Sequence, residues 1–141
     1  MNDIFGALRD WLLAQIAISD LVGTRVYVNA IPRSEIEAQD VMHPSKMLVI
    51  RQGGGQGTAS FQELDQPNII ALCYGESESE ADTVRRAVWT AFKNLRRVNQ
   101  GGVLIHHVNP TSGAIPSRDP DIKWPIVSQT FQTLVATESI A

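Results

Sequence analysis

The chain has 141 residues, of which 43% are hydrophobic and 19% charged, a size and balance that fit one domain over residues 1–141 with a sizeable core and exclude wholesale disorder. Twelve Lys and Arg against fifteen Asp and Glu give a net charge of −3, a poor footprint for nucleic acid. A single cysteine, Cys73, rules out an internal disulfide. With no basic start leading into an apolar leader and no run near the roughly 18 apolar residues of a membrane span, the expectation is a soluble protein of a reducing cytoplasm with no membrane partner.

In chain order, NDIFGALRDWLLAQIAI places Ile4, Leu8, Trp11, Leu12 and Ile16 at helical spacing, which predicts one amphipathic helix ending near Ser19 and Asp20. After a break at Gly23 comes a short strand over residues 25–30, then a long proline-flanked loop over residues 32–45 with room for a helical turn. KMLVIR at 46–51 and PNIIALCYG at 67–75 read as inner strands in an antiparallel connection. Between them, residues 52–66 form a hairpin extension with four glycines in the five positions from Gly53 to Gly57, its arms pairing around residues 59–64.

ESESEADTVRRAVWTAFKNLRR carries the clearest helical pattern, with Ala81, Val84, Val88, Ala91, Phe92 and Leu95 on one stripe. Ser77 and Glu80 have the spacing of a capping box, and acids at the start with bases at the end complement the helix dipole. GVLIHHVN at 102–109 reads as a strand, residues 110–125 as a second long loop with four of the seven prolines, and IVSQTFQTLVAT at 126–137 as the last strand. The fold class is therefore α+β: a mixed, largely antiparallel sheet of about four to five strands with two main helices packed on it.

The glycine run is not a phosphate site. A P-loop requires a lysine next to its last glycine, and no lysine lies between Lys46 and Lys93. Gly55, Gly57 and Ser60 approximate a dinucleotide fingerprint, but the segment that follows has no apolar stripe and meets Pro67, so no helix N-terminus is available to receive an anion. His106 and His107 alternate across a strand and cannot both reach one metal, His43 has no partner ligand at suitable spacing, and Asp119 with Asp121 falls short of the oxygens a calcium site needs. Cys73, inside an apolar strand, reads as core, and Trp11, Trp89 and Trp124 as core or rim aromatics. No cofactor and no catalytic constellation is expected.

Three features in sequence carry a family resemblance: a first helix running into LVGTRVY, a strand NIIALCYG after a variable hairpin, and the direct passage of that strand into ESESEADTVRRAVWTAFKNL. Together, from about Ile4 to Leu95, they make the chain similar to the tail-terminator, or tail-completion, proteins of long-tailed bacteriophages and related tailed particles. The resemblance implies a non-enzymatic virion protein, assembled in the host cytoplasm, that forms a ring, usually a hexamer, on the end of the tail tube. Its partners would be further copies of itself, the major tail-tube protein and a head-completion or connector protein. Gln52, Gly53, Gly54, Gly55, Gln56, Gly57 and Thr58 in the hairpin, and Arg118, Asp119 and Asp121 in the second long loop, are the candidate protein contacts. The alternatives are another neck component, such as a connector, stopper or minor tail protein, or a small enzyme using Cys73 or a histidine.

Overall fold

A computed structural model describes residues 4–39, 42, 44–56, 64–100, 102–120 and 122–136. In chain order they form α1 (Ile4–Leu13), α2 (Ile16–Val22), β1 (Val26–Val28), α3 (Arg33–Ala38), β2 (Met47–Gln56), β3 (Leu64–Tyr74), α4 (Glu78–Asn94), β4 (Val98–Gln100), β5 (Val103–Pro110), β6 (Ile115–Arg118) and β7 (Pro125–Ala136). The strands make one sheet in the order β1-β2-β3-β7-β5-β4, with β6 also on β7. Only β1 and β2 run parallel; every other pair is antiparallel. The mixed sheet agrees with the expectation, but it has seven strands rather than four or five.

The apolar alternation of the central strands sends Leu48, Ile50, Ile69, Ala71, Cys73, Phe131 and Val135 to one face, where they pack with α1, α2 and α4. There Phe92 of α4 stands edge-on to Phe131, with ring centroids 5.0 Å apart, and stacks on Trp11 of α1 at 6.0 Å. On the other face, Met47, Val49, Tyr74 and Ile126 meet Ile31 and Trp124. This two-sided cover explains why Met47 to Ile50 is a continuous apolar run.

Helix α4 begins as its spacing predicts. The Ser77 hydroxyl accepts the Glu80 N–H at 3.3 Å, and the carboxylate of Glu80 turns toward Lys46, 3.9 Å away. Gly75 lets strand and helix approach: a Cβ there would lie 2.6 Å from the Ala81 nitrogen. At the other end Arg96 donates to the carbonyls of Lys93 and Leu95, which the last turn leaves without amide partners.

Three expectations need correction. The first helix is two helices, parted at Gln15, whose backbone is extended. No Gly or Pro marks that break; the Gln15 N–H turns to the Leu12 carbonyl at 3.0 Å while its side-chain amide joins the Ala14 N–H on the Trp11 carbonyl at 3.1 Å, and Ile16 is left 75% exposed rather than on the apolar stripe. The loop over residues 110–125 contains a strand, because β6 continues along β7 where β5 leaves it. β4 is a short edge strand that three residues of weak pattern do not announce.

Loss of the aromatic contact should be costly. Phe92→Ala is expected to lower stability by about 3–5 kcal/mol and Glu78→Ala by no more than about 0.5 kcal/mol, measured by chemical denaturation.

Candidate functional site

Through Gln56 the glycine segment extends the antiparallel pairing of β2 with β3, as the hairpin reading expects. β2 and β3 remain paired from Met47↔Tyr74 to Gln52↔Ile69, and pair again at Gly55↔Pro67 and Gln56↔Gln66. The register slips by one residue between Gln52 and Gly55, so Gly53 and Gly54 together face Asn68. A two-against-one slip of this kind bends and twists the strand that carries the extra residue, and glycine tolerates it best. The amide oxygen of Asn68 is buried without a hydrogen-bond partner. Gly57 and Thr58, and the arm pairing expected at residues 59–63, lie outside the described residues.

Arg118 and Asp119 lie at the opposite end of the sheet. Asp119 organises the turn from β6 to β7: one carboxylate oxygen accepts the Tyr74 hydroxyl at 3.0 Å and the other the Ile122 N–H at 3.1 Å. Its backbone N–H donates to the Trp124 carbonyl at 3.0 Å, and its carbonyl accepts from Lys123 at 2.9 Å. Burial, and then the bond to Asp119, push the Tyr74 hydroxyl pKa well above the usual phenol range. Asp119 is thus an internal anchor, whereas Arg118 is exposed and donates to the Lys123 carbonyl. Asp121 lies outside the described residues. Arg118 borders an open depression of about 450 Å³ shared with Met42, Pro44, Glu76 and Glu78, where Met42 is 76% exposed.

The two candidate regions are not brought together. From Gln66, opposite Gln56, to Tyr74, whose hydroxyl meets Asp119, β3 runs eight residues, about 27 Å at the rise of an antiparallel strand. They sit at opposite ends of a rigid frame.

A polar chain that sequence gave no means of finding fixes the segment between β5 and β6. Asp82 accepts from Arg85 at 2.6 Å and Arg86 at 2.8 Å, Arg85 reaches the buried Gln129 at 3.3 Å, and Gln129 donates to the Ser112 carbonyl at 2.9 Å. The Ser112 hydroxyl in turn accepts the Thr130 N–H. The hydrogen bond from Arg85 holds the Asp82 carboxyl below its ordinary range, against a smaller opposing effect of burial.

Cys73 is wholly buried, and desolvation pushes its thiol far above the ordinary range, which withholds the thiolate a nucleophile needs. At His106 the strand alternation breaks, since the register of β5 on β7 slips between Ile105 and His107. Among the described residues, no group of three or more His, Cys, Asp or Glu side chains could hold a metal, and no helix is long and apolar enough to cross a membrane. Trp11 and Trp124 are buried, while Trp89 is half-buried under Lys93, whose ammonium lies 4.9 Å from the ring centre.

No protein-family model matches the sequence, and no curated protein matches it. The structure is similar to a chain of the virion of a native gene transfer agent (GTA) particle, with a TM-score of 0.62 over 94% of this chain and 93% of that one, at 14% sequence identity. At that identity the likeness is one of fold.

Asp119→Ala removes two acceptors from a partly buried turn and is expected to cost about 1.5–3 kcal/mol, with a red shift of Trp124 emission, while Arg118→Ala stays within about 0.5 kcal/mol. Tryptophan fluorescence during urea unfolding reads both. Because the carboxyl of Asp82 is depressed in the folded chain, its contribution is present above the ordinary carboxylate value near 4 and is lost as pH falls through the folded value. Asp82→Asn should therefore cost about 1 kcal/mol at pH 7 and flatten the loss of stability below about pH 4, read from melting temperatures across an acid series.

Proposed function

We propose that the chain is a virion structural protein that caps the end of a phage tail tube as a ring, most simply a hexamer, and offers the head its joining surface. The fold likeness to a GTA virion chain, spanning nearly the whole of both chains, carries this reading. The position of the candidate contacts is in keeping with it, since a cap needs two unlike surfaces on one rigid body and the glycine arm and the β6–β7 turn occupy opposite ends of the sheet.

The need for such a protein follows from symmetry. Rings stacked head to tail expose the same face after each addition, so the contact has no intrinsic end. A terminator pairs with the tube protein through one surface and presents to the connector another that the tube protein cannot use. No step in this requires a cofactor. The protein would be found in the virion, at the neck, after assembly in the host cytoplasm.

Particles assembled without the protein should yield heads without tails and free tails that are often overlong, visible by negative-stain electron microscopy. Tails of normal length joined to heads would reject the terminator role and favour another neck component.

A further inference from the structure

We propose that the outer edge of β2 over residues 52–56 receives an extended segment of another virion protein as an added strand, a reading that rests on the assembly role and names its contact. β1 covers β2 only as far as Val28↔Ile50; the last main-chain link is the Asn29 N–H to the Ile50 carbonyl at 2.9 Å, and the Arg51 side chain donates to the Asn29 carbonyl. Beyond it, among the described residues, no strand lies on the outer side of residues 52–56.

The outward groups can be assigned from the ladders. Leu48 donates to the Arg25 carbonyl and Ile50 accepts from Asn29, so the main-chain groups of these residues face β1, and by alternation those of Gln52 face the same way. Gln52 lies opposite Ile69, whose own groups therefore turn to β7, as do those of Pro67 two residues before it. Gly55, opposite Pro67, consequently presents its N–H and C=O outward as well.

Two other edges, on β1 and along β5 and β6, are closed or blunted in part. On β1 the outward Val26 carbonyl accepts from Arg9 Nε at 3.0 Å, the Val26 N–H donates to Thr24, and the Val28 carbonyl accepts from Ala30. On β5 the His106 carbonyl takes the Arg97 N–H at 3.1 Å, and the β5 to β6 edge carries Pro110 and Pro116, which have no N–H to offer.

The chemistry of the partner follows from what the arm lacks. Glycine contributes no cross-strand side-chain pair, so two copies joined edge to edge would set glycine against glycine with little to hold their register. A segment of another protein bearing β-branched or aromatic side chains supplies the missing packing. Asn68, whose buried amide oxygen has no hydrogen-bond partner, lies in register opposite Gly53 and Gly54.

The test compares hydrogen exchange over residues 52–56 in the free full-length chain and in assembled particles, together with the variant Gly55→Pro. That change removes an outward N–H and takes nothing from the β2–β3 ladder. Exchange should slow at least tenfold in particles, and Gly55→Pro, with wild-type circular dichroism, should enter particles at least tenfold less well, while Gly113→Ala, at an open site, enters normally. Absence of the wild-type chain from particles would overturn the assembly role and this contact with it. Its presence with free-chain exchange rates, or normal entry of a folded Gly55→Pro, would overturn the contact alone. Cross-links joining residues 52–56 to a second copy would overturn the choice of partner. Should Gly55→Pro fail to fold, the exchange measurement on the wild type decides.

Discussion

The antiparallel register of β3 on β7 holds without a slip from Leu64↔Ala136 to Tyr74↔Ile126, and the rest of the molecule is arranged around it. A shift of one residue would turn Ile69, Ala71 and Cys73 away from the helices and bring Asn68, Ile70 and Leu72 in their place. With the register fixed, Phe131 stands beneath Phe92, which carries Trp11, and three elements distant in sequence share one aromatic column. The same register sets Gln129 where Arg85 can reach it, so the polar chain to Ser112 depends on the core pairing rather than competing with it. Gly75 completes the arrangement, since any side chain there would force α4 away from the strand that feeds it.

Slips appear only outside this pair. One falls on β2 at the glycines and one on β5 at His106, in the strands that flank the central two. Register is strongly specified where both residues of a pair are tied to a buried face, and weakly where one strand runs past the packed core. The helix-facing core reaches β2 through Leu48 and Ile50, and beyond Ile50 the strand becomes Arg, Gln and glycine. The arm therefore keeps strand geometry without the side chains that usually enforce it, a state suited to accepting order from outside.

Sequence made the interior legible and the edges much less so. The stripe of α4, its Ser77 cap, the inner strands and the burial of Cys73 follow from periodicity because each sits on a strong, continuous pattern. The break at Gln15 escaped because no Gly or Pro marks it. β6 escaped because Ile115 is 54% exposed and Pro116 reads as a loop residue, although proline is tolerated on an edge strand. At the candidate site, the composition of the glycine run excluded phosphate chemistry and its place between two strands pointed to a hairpin extension, but the register slip between Gln52 and Gly55 left no mark, since glycine has no strand preference of its own. Asp119 appeared as a surface acid; its partner Tyr74 lies 45 residues away, and no local pattern links the two.

Fold likeness at 14% identity means that the frame survives nearly complete replacement of its residues. Such a frame cannot store partner specificity in its core, where the requirement is only volume and apolarity on the correct face. Specificity must lie where backbone or polar groups are left over after the frame has satisfied itself. Here that remainder is small and can be located: the turn at Asp119 spends its carboxylate on Tyr74 and Ile122, and β1 covers its outward groups with Arg9, Thr24 and Ala30. On β2 beyond Ile50, the outward backbone of Gln52 and Gly55 has no described strand beside it. Under the proposed terminator role, the chain needs one contact that the tube can make and that it does not pass on. On that proposed reading, the stretch of β2 beyond Ile50, which no described strand covers, is where such a contact would form.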